Sequence, residues 1–462
     1  MSTTPADDLA RTAELMEAAG GYAVQLLEGM SERPAARAPV RPEPRPLPLA
    51  GAGTSAAMAE FAARWEPGFA ASAGPRYLGF VTGGSTPASV VGDWLTGVLD
   101  QNPTSGLDST APDLERETVA WLRELFGLPA GQQGAFVSGA TMSNATGLAI
   151  GREWLGEQRG VSVADDGVAA LGPVRVLSGS AHSSIGKALS LLGLGRSALR
   201  KVDVLPGREA VDVSRLAEAL AELDGAPAIV VANAGTVNTG DFDDLAAIAA
   251  LRERFPFWLH VDAAFGAFAA LSPGHAHLVA ALGAADSICA DLHKWLNVPY
   301  DSAVQFTHRR DLQTRVFQNH AAYLGPLGEE PDPVHLTPEN SRRLRALAAW
   351  FTLAAYGREG HAEIVRRDLA LAARLGGRIA AMPGYRLLAP VRLNVVCFTL
   401  SGDPGGVDQV ARAITESGEA FLTTTVYDGV PALRAAFSSW RTTEADVDRV
   451  AAVLEKVHRG SA

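Results

Sequence analysis

Cysteine is nearly missing. Cys289 and Cys397 are the only two in 462 residues, and each sits inside an apolar, strand-like run. Two such thiols exclude a disulfide scaffold and point to a reducing compartment. Long apolar runs are missing too: no stretch reaches the roughly 18 residues that a membrane-spanning helix needs. Positive charge is not in excess. A net charge of −11 argues against a nucleic-acid groove and against docking on an anionic membrane. The first residues, MSTTPADDLARTAELMEAAGG, are acidic where a secretory signal would be basic. No G-x-G-x-x-G follows the first strands, no Walker motif appears, and there is no internal repeat. A cytoplasmic protein without nucleic-acid or membrane partners is the expectation.

What is present describes a globular chain, with 20% charged and 47% hydrophobic residues and room for two or three domains. Residues 3–30 read as one helix, with Leu9, Met16, Val24 and Leu27 roughly on one face. The proline-rich 33–51 reads as an extended connector. A short helix over 56–65 leads into GPRYLGFVTGGSTPAS, residues 74–89, where glycine and aromatic residues suit a ligand-contacting loop. Arg76 is the only charge there.

From Pro112 onward, strand-like runs alternate with helical ones. AFVSG, VRVLS, AIVVANAG, FWLHVDAA and SICAD are the expected strands of an α/β fold with a mostly parallel sheet. A helix over 341–356 opens a smaller C-terminal α+β part with strands YRLLA, NVVCFTL, AFLTTTVY and ALRAAFS. The expected division is an N-terminal arm and substrate loop at 1–95, a large domain at 96–340 and a small domain at 341–462.

The richest stretch is 258–302. One strand delivers Asp262, and thirty-two positions later a second has delivered Asp291, His293 and Lys294. Ligands of open α/β sheets bind beyond the carboxyl ends of strands. A lysine set between Leu292, Trp295 and Leu296 is partly desolvated and usable as a nucleophile. Taken singly, each residue is as well explained by a strand-end lysine or a turn aspartate; together they point to chemistry. His275 and His277 do not complete a metal site with His293, because no carboxylate or cysteine shares their spacing, and no metal is expected.

HVDAAFG followed by DLHKWLNVPYDS resembles the pyridoxal-phosphate group II decarboxylases, which act on aromatic amino acids, histidine, glutamate or diaminobutyrate. The resemblance runs from about Pro75 to the C-terminus. It implies fold type I, the aspartate aminotransferase-like architecture, with pyridoxal 5′-phosphate as cofactor. It makes Lys294 the Schiff-base lysine and Asp262 the partner of the ring nitrogen. His182, at a strand-to-helix junction, becomes the residue that stacks on the ring and reaches the substrate. Thr141 and Met142 open a helix whose free N–H groups suit a phosphate. Thr236 meets the ring edge, and Ala264, Asp291 and His293 complete the cofactor contacts. Phe80 and Thr82, with His182, are the expected substrate contacts. Tyr323, in the long Gly- and Pro-rich segment 317–340, matches the tyrosine that returns a proton to Cα. A homodimer with an N-terminal arm across the partner is also implied.

The expected reaction is decarboxylation of an L-amino acid, aromatic or apolar by preference, to an amine. An aldehyde synthase or carbon–carbon lyase of the same fold is the enzymatic alternative. A catalytically silent scaffold that binds the cofactor is the alternative of another class.

Overall fold

The computed structural model describes residues 3–39, 41–319, 327–328 and 330–461. Seven strands build the central sheet: β1 (Gln133–Val137), β2 (Val176–Ser178), β3 (Leu199–Lys201), β4 (Ala228–Asn233), β5 (Phe257–Asp262), β6 (Ser287–Asp291) and β7 (Ala303–Thr307). Their order is β1-β7-β6-β5-β4-β2-β3. β7 runs antiparallel to both of its neighbours, and all other pairings are parallel. The α/β, mostly parallel reading therefore holds.

Two strands lay outside the expected set. β3 is three residues long and two of them are exposed, so no apolar run marks it. β7 reads AVQFT and is wholly buried, yet Gln305 and Thr307 interrupt its apolar character. Each polar side chain has a partner inside: Gln305 donates to the Phe306 carbonyl and Thr307 to that of Asp286.

Alternation along the strands separates two cores. On β4, Ile229 and Val231 pack with Trp258 and Leu148 on one face. Val230 and Ala232 pack with Leu259, Val261 and Ile288 on the other. Apolar material on both faces is what a parallel sheet covered by helices requires.

A second, antiparallel sheet has order β10-β11-β9-β8, from β8 (Tyr385–Leu387), β9 (Val395–Leu400), β10 (Thr423–Tyr427) and β11 (Val430–Ala436). Leu371, Leu375 and Ile379 of helix Ala346–Ala380 pack on it, as do Val447, Val450 and Leu454 of the last helix, Glu444–Ser461. Thr443 and Asp446 cap that last helix reciprocally. The long helix begins at Ala346, not at 341, and bends at Gly357. Ahead of it, Arg342 turns inward to a bidentate pair with Glu115 at 2.7 and 2.9 Å.

The N-terminal reading needs correction. Instead of one helix there are two, Pro5–Leu9 and Thr12–Glu28. Asp8, within the first of them, accepts from the backbone N–H and the hydroxyl of Thr54. Neither helix buries a side chain, and Leu9, Met16 and Val24 stay exposed. Segment 74–89 is tied to the second sheet: Leu78 N–H donates to the Phe421 carbonyl and Ala436 N–H to that of Leu78. Arg76 turns away from the loop's ligand face. It is buried against Asp446 at 3.2 Å and donates to the Glu419 and Ser31 carbonyls.

Candidate active site

Five strand-to-helix turns converge at the carboxyl edge of the large sheet, around a cavity of about 580 Å³. After β1, the chain turns through Ser138 and Gly139 into helix Ala140–Arg159, which puts Thr141 and Met142 in its first turn. After β2, His182 caps helix Ser183–Leu191, its Nδ1 accepting from the Ser184 N–H. The turn after β4 places Thr236; β5 ends in Asp262 with Ala264 just beyond; β6 ends in Asp291, followed by His293 and Lys294. Phe80 and Thr82 reach the same cavity from segment 74–89. Tyr323 lies outside the described residues.

Asp262 is buried. It accepts from Asn144 Nδ2 at 2.9 Å and from the Ala264 N–H at 3.2 Å, and it borders the cavity. Lys294 Nζ stands 3.5 Å from Asp291 Oδ2 and over the Phe265 ring. Asp291 also accepts from the Ala140 N–H, which joins the lysine turn to the start of the helix. Complete burial raises the Asp291 carboxyl above its ordinary range, with Lys294 and His293 pulling the other way. Burial lowers His293 despite Asp291 beside it. Burial likewise lowers His182; Asp262 opposes this, while Lys294 and Arg434 add to it. Both imidazoles are therefore neutral at pH 7.

Thr236 lines the cavity, but its hydroxyl is engaged elsewhere. It donates to buried Glu209 at 2.5 Å and accepts from the Asp241 N–H.

Sequence reasoning missed several lining groups. Arg434, on β11, enters from the second sheet, donating to the Val237 carbonyl and Thr423. Burial lowers its guanidinium, and its Nε has no hydrogen bond. Tyr300 lies 4.4 Å from the His293 ring centroid, its phenol pushed up to about 12 by burial and by Tyr77 and Asp291 nearby. Tyr77 stacks on Phe421 at 4.7 Å. Nothing local marks Arg434, since it reaches the cavity only when the two sheets meet.

Pyridoxal phosphate suits this donor set. The start of a helix would suit its phosphate, a buried carboxylate its ring nitrogen and a lysine its aldehyde. Asp291 Oδ1 and His293 Nδ1 face each other at 3.1 Å, which fixes the imidazole at the cavity wall. Among the described residues no group of three His, Cys, Asp or Glu side chains is placed to hold a metal.

The comparisons agree with this chemistry. Residues 55–401 match the pyridoxal-dependent decarboxylase conserved domain. Aromatic-L-amino-acid decarboxylase of Sus scrofa is 30% identical over 365 residues, covering 74% of this chain and 73% of that one. L-2,4-Diaminobutyrate decarboxylase of Acinetobacter baumannii is 28% identical, with 72% of this chain and 69% of the relative covered. The structure of Oryza sativa TDC with PLP and tryptamine superposes with a TM-score of 0.91 at 22% identity, over the whole of both chains, and shows the shared fold. The chain belongs to the pyridoxal-dependent decarboxylase family, and it is an amino-acid decarboxylase of fold type I that uses pyridoxal 5′-phosphate.

Proposed function

We propose that the substrate is an L-amino acid with an aromatic or apolar side chain, released as the amine. The aromatic wall of the cavity supports this most directly: Tyr77 stacked on Phe421, Phe80 at 5.9 Å from the same ring, and Tyr300 against His293. Such faces take up a planar apolar group by offset or edge contact. Arg434 favours a second reading, since a buried Nε without a partner would receive an anionic side chain.

Each residue then has a task. Bound pyridoxal phosphate supplies the electron sink that takes up the pair left at Cα when CO₂ departs. Lys294 would hold the cofactor covalently through its amine. Asp262 would accept from the ring nitrogen and keep it protonated. Thr141 and Met142 would contribute backbone N–H groups to the phosphate, with Asp291 and His293 beside it. Ala264 and His182 would border the ring, and Thr236 would meet its edge through its backbone or methyl group. Phe80 and Thr82 border the substrate side chain. Tyr323 is assigned the proton delivered to Cα on the resemblance alone, and it favours amine over aldehyde as product.

The working unit is proposed to be a homodimer, because Leu9, Met16 and Val24 of the N-terminal helices stay exposed in one chain, and its place the cytoplasm, where the free thiols of Cys289 and Cys397 stay reduced. Among the described residues no helix is long and apolar enough to cross a membrane. The division at 1–95, 96–340 and 341–462 is proposed from the two sheets, although the first part of the long helix, Ala346 to Val365, packs with the core of the large one. Measuring CO₂ release across aromatic, apolar, acidic and basic L-amino acids, with wild type and Arg434→Met, tests the substrate reading. Turnover of acidic substrates that Arg434→Met abolishes would replace it with the second.

A further inference from the structure

A buried chain of hydrogen bonds runs beneath the site, and strand and helix periods create it. Trp258, His260 and Asp262 alternate along β5, so they face one side of the sheet. Ser287 is the register partner of His260 on β6. Helix Ala140–Arg159 covers that side and brings Asn144, Gly147 and Gly151 over it at helical spacing. A Cβ at Gly147 would come within 2.8 Å of the His260 ring, and one at Gly151 within 2.7 Å of the Trp258 indole. Glycine at both places lets the helix approach closely enough for Asn144 to join the chain.

The polarity of the chain follows from its two ends. An indole N–H can only donate, so Ser287 Oγ accepts from Trp258 Nε1 at 2.9 Å. Ser287 then gives its own proton to His260 Nδ1, 2.8 Å away. His260 carries its proton on Nε2 and donates to Asn144 Oδ1 at 2.9 Å. The Asn144 amide nitrogen is left facing Asp262 Oδ2 at 2.9 Å and Ser184 Oγ at 3.1 Å. Ser184 passes its proton to His182 Nδ1, 2.8 Å away. Reading from the other end agrees. A flipped Asn144 would set its oxygen against the Asp262 carboxylate, two acceptors at hydrogen-bond distance.

We propose that Asn144, His260, Ser287 and Trp258 are positioning residues that set the hydrogen-bond polarity of Asp262 and His182 together. Asp262 is held as an acceptor only, and His182 keeps its proton on Nε2, the nitrogen left for the cavity. Asn144 is the branch point, because one amide group serves both residues. Complete burial pushes His260 down to about 4, so it stays a neutral link throughout the working range. The inference rests on the reading of Asp262 and His182 as the groups that face the cofactor.

The test is ¹⁵N-histidine NMR of the full chain, cofactor-free and cofactor-loaded, beside steady-state kinetics. In wild type, both His182 and His260 should show a single tautomer protonated at Nε2. The Ser184 N–H still donates to His182 Nδ1 at 3.3 Å in either variant, so Asn144→Leu and His260→Phe should give His182 as a mixture in which the Nδ1-protonated tautomer is the minor one. Their kcat should fall on the order of 10-fold, as when a partner behind a ligating histidine is removed, with KM within about 2-fold. His260→Gln keeps a donor to Asn144 and should restore the wild-type spectrum and most of kcat. A wild-type spectrum with the proton on Nδ1 of either ring overturns the inference without any variant being needed. A single tautomer with unchanged kcat in Asn144→Leu overturns it as well. A mixed tautomer with unchanged kcat would show a purely structural network and remove His182 from the chemistry, which overturns the reading of the site.

Discussion

A methyl group at Gly83 would overlap the backbone carbonyl of Lys294. The Gly83 N–H also donates to the His293 carbonyl at 3.2 Å, so segment 74–89 lies against the turn that carries the lysine. Gly83→Ala should force that turn to shift. Overpacking of this kind costs about 1–3 kcal/mol. A lower thermal midpoint together with faster cofactor loss on dialysis is expected, and unchanged cofactor retention would contradict the close approach.

Lys294→Ala should abolish turnover and leave the fold intact, because the side chain makes an ion-pair contact with Asp291 but is not part of the apolar core. Borohydride reduction followed by peptide mass spectrometry should find the cofactor on Lys294 in wild type and on no lysine in the variant. Cofactor carried on another lysine of the wild-type protein would refute the assignment.

The acid limb of kcat/KM reports the free enzyme's ionisations. His182 is lowered from its ordinary 6.5, chiefly by burial, so it becomes protonated only below that value. Activity should be level from pH 7 upward through the neutral range and fall as the pH drops past His182's value. A limb that rises toward acid pH would mean that protonated His182 is the active form.

His361 is buried in the long helix and its imidazole is pushed down to about 4. The unfolded chain binds that proton near 6.5, so between these values the unfolded state holds more protons than the folded one. The contribution is fully present above pH 6.5 and is lost as the pH falls toward 4. A shift of this size corresponds to roughly 3 kcal/mol at most. The denaturation midpoints of wild type and His361→Phe should therefore differ by a constant amount above pH 7. They should move against wild type between pH 6.5 and 4, and a pH-independent difference would show that His361 is not buried neutral.

Arg342 and Glu115 form a fully buried bidentate pair between the approach to the long helix and helix Ala111–Leu125. Removing one partner strands the other charge, which costs on the order of 3–5 kcal/mol. Glu115→Ala should lower stability by about that much. Replacing both partners by apolar residues of similar volume should recover most of the loss in denaturant titration.

The strands that carry chemistry were legible because each is a short, apolar, β-branched run ended by Asp, Gly or Ser. Ile229 to Asn233 and Leu259 to Asp262 announce themselves this way. Lys294, Asp262 and His182 could be read as a set because each follows such a strand, and the resemblance supplied their roles. The sequence could not reveal β7, where Gln305 and Thr307 look exposed until their buried partners are known. Nor could it divide the N-terminal helix, because the break falls at Ala10 and Arg11, where no glycine or proline marks it.

Local pattern thus determined five of the seven strands of the large sheet and the residues at their carboxyl ends, since periodicity and turn chemistry act over a few positions. Tertiary packing alone decided what surrounds them. Arg434 reaches the cavity because the second sheet closes on the first, and Arg76 is withdrawn from it by Asp446. Asn144, Ser184, His260 and Ser287 became one network only when helix Ala140–Arg159 settled onto β5 and β6. Hydrogen bonds need their partners within about 3 Å, and separations in sequence do not report separations in space.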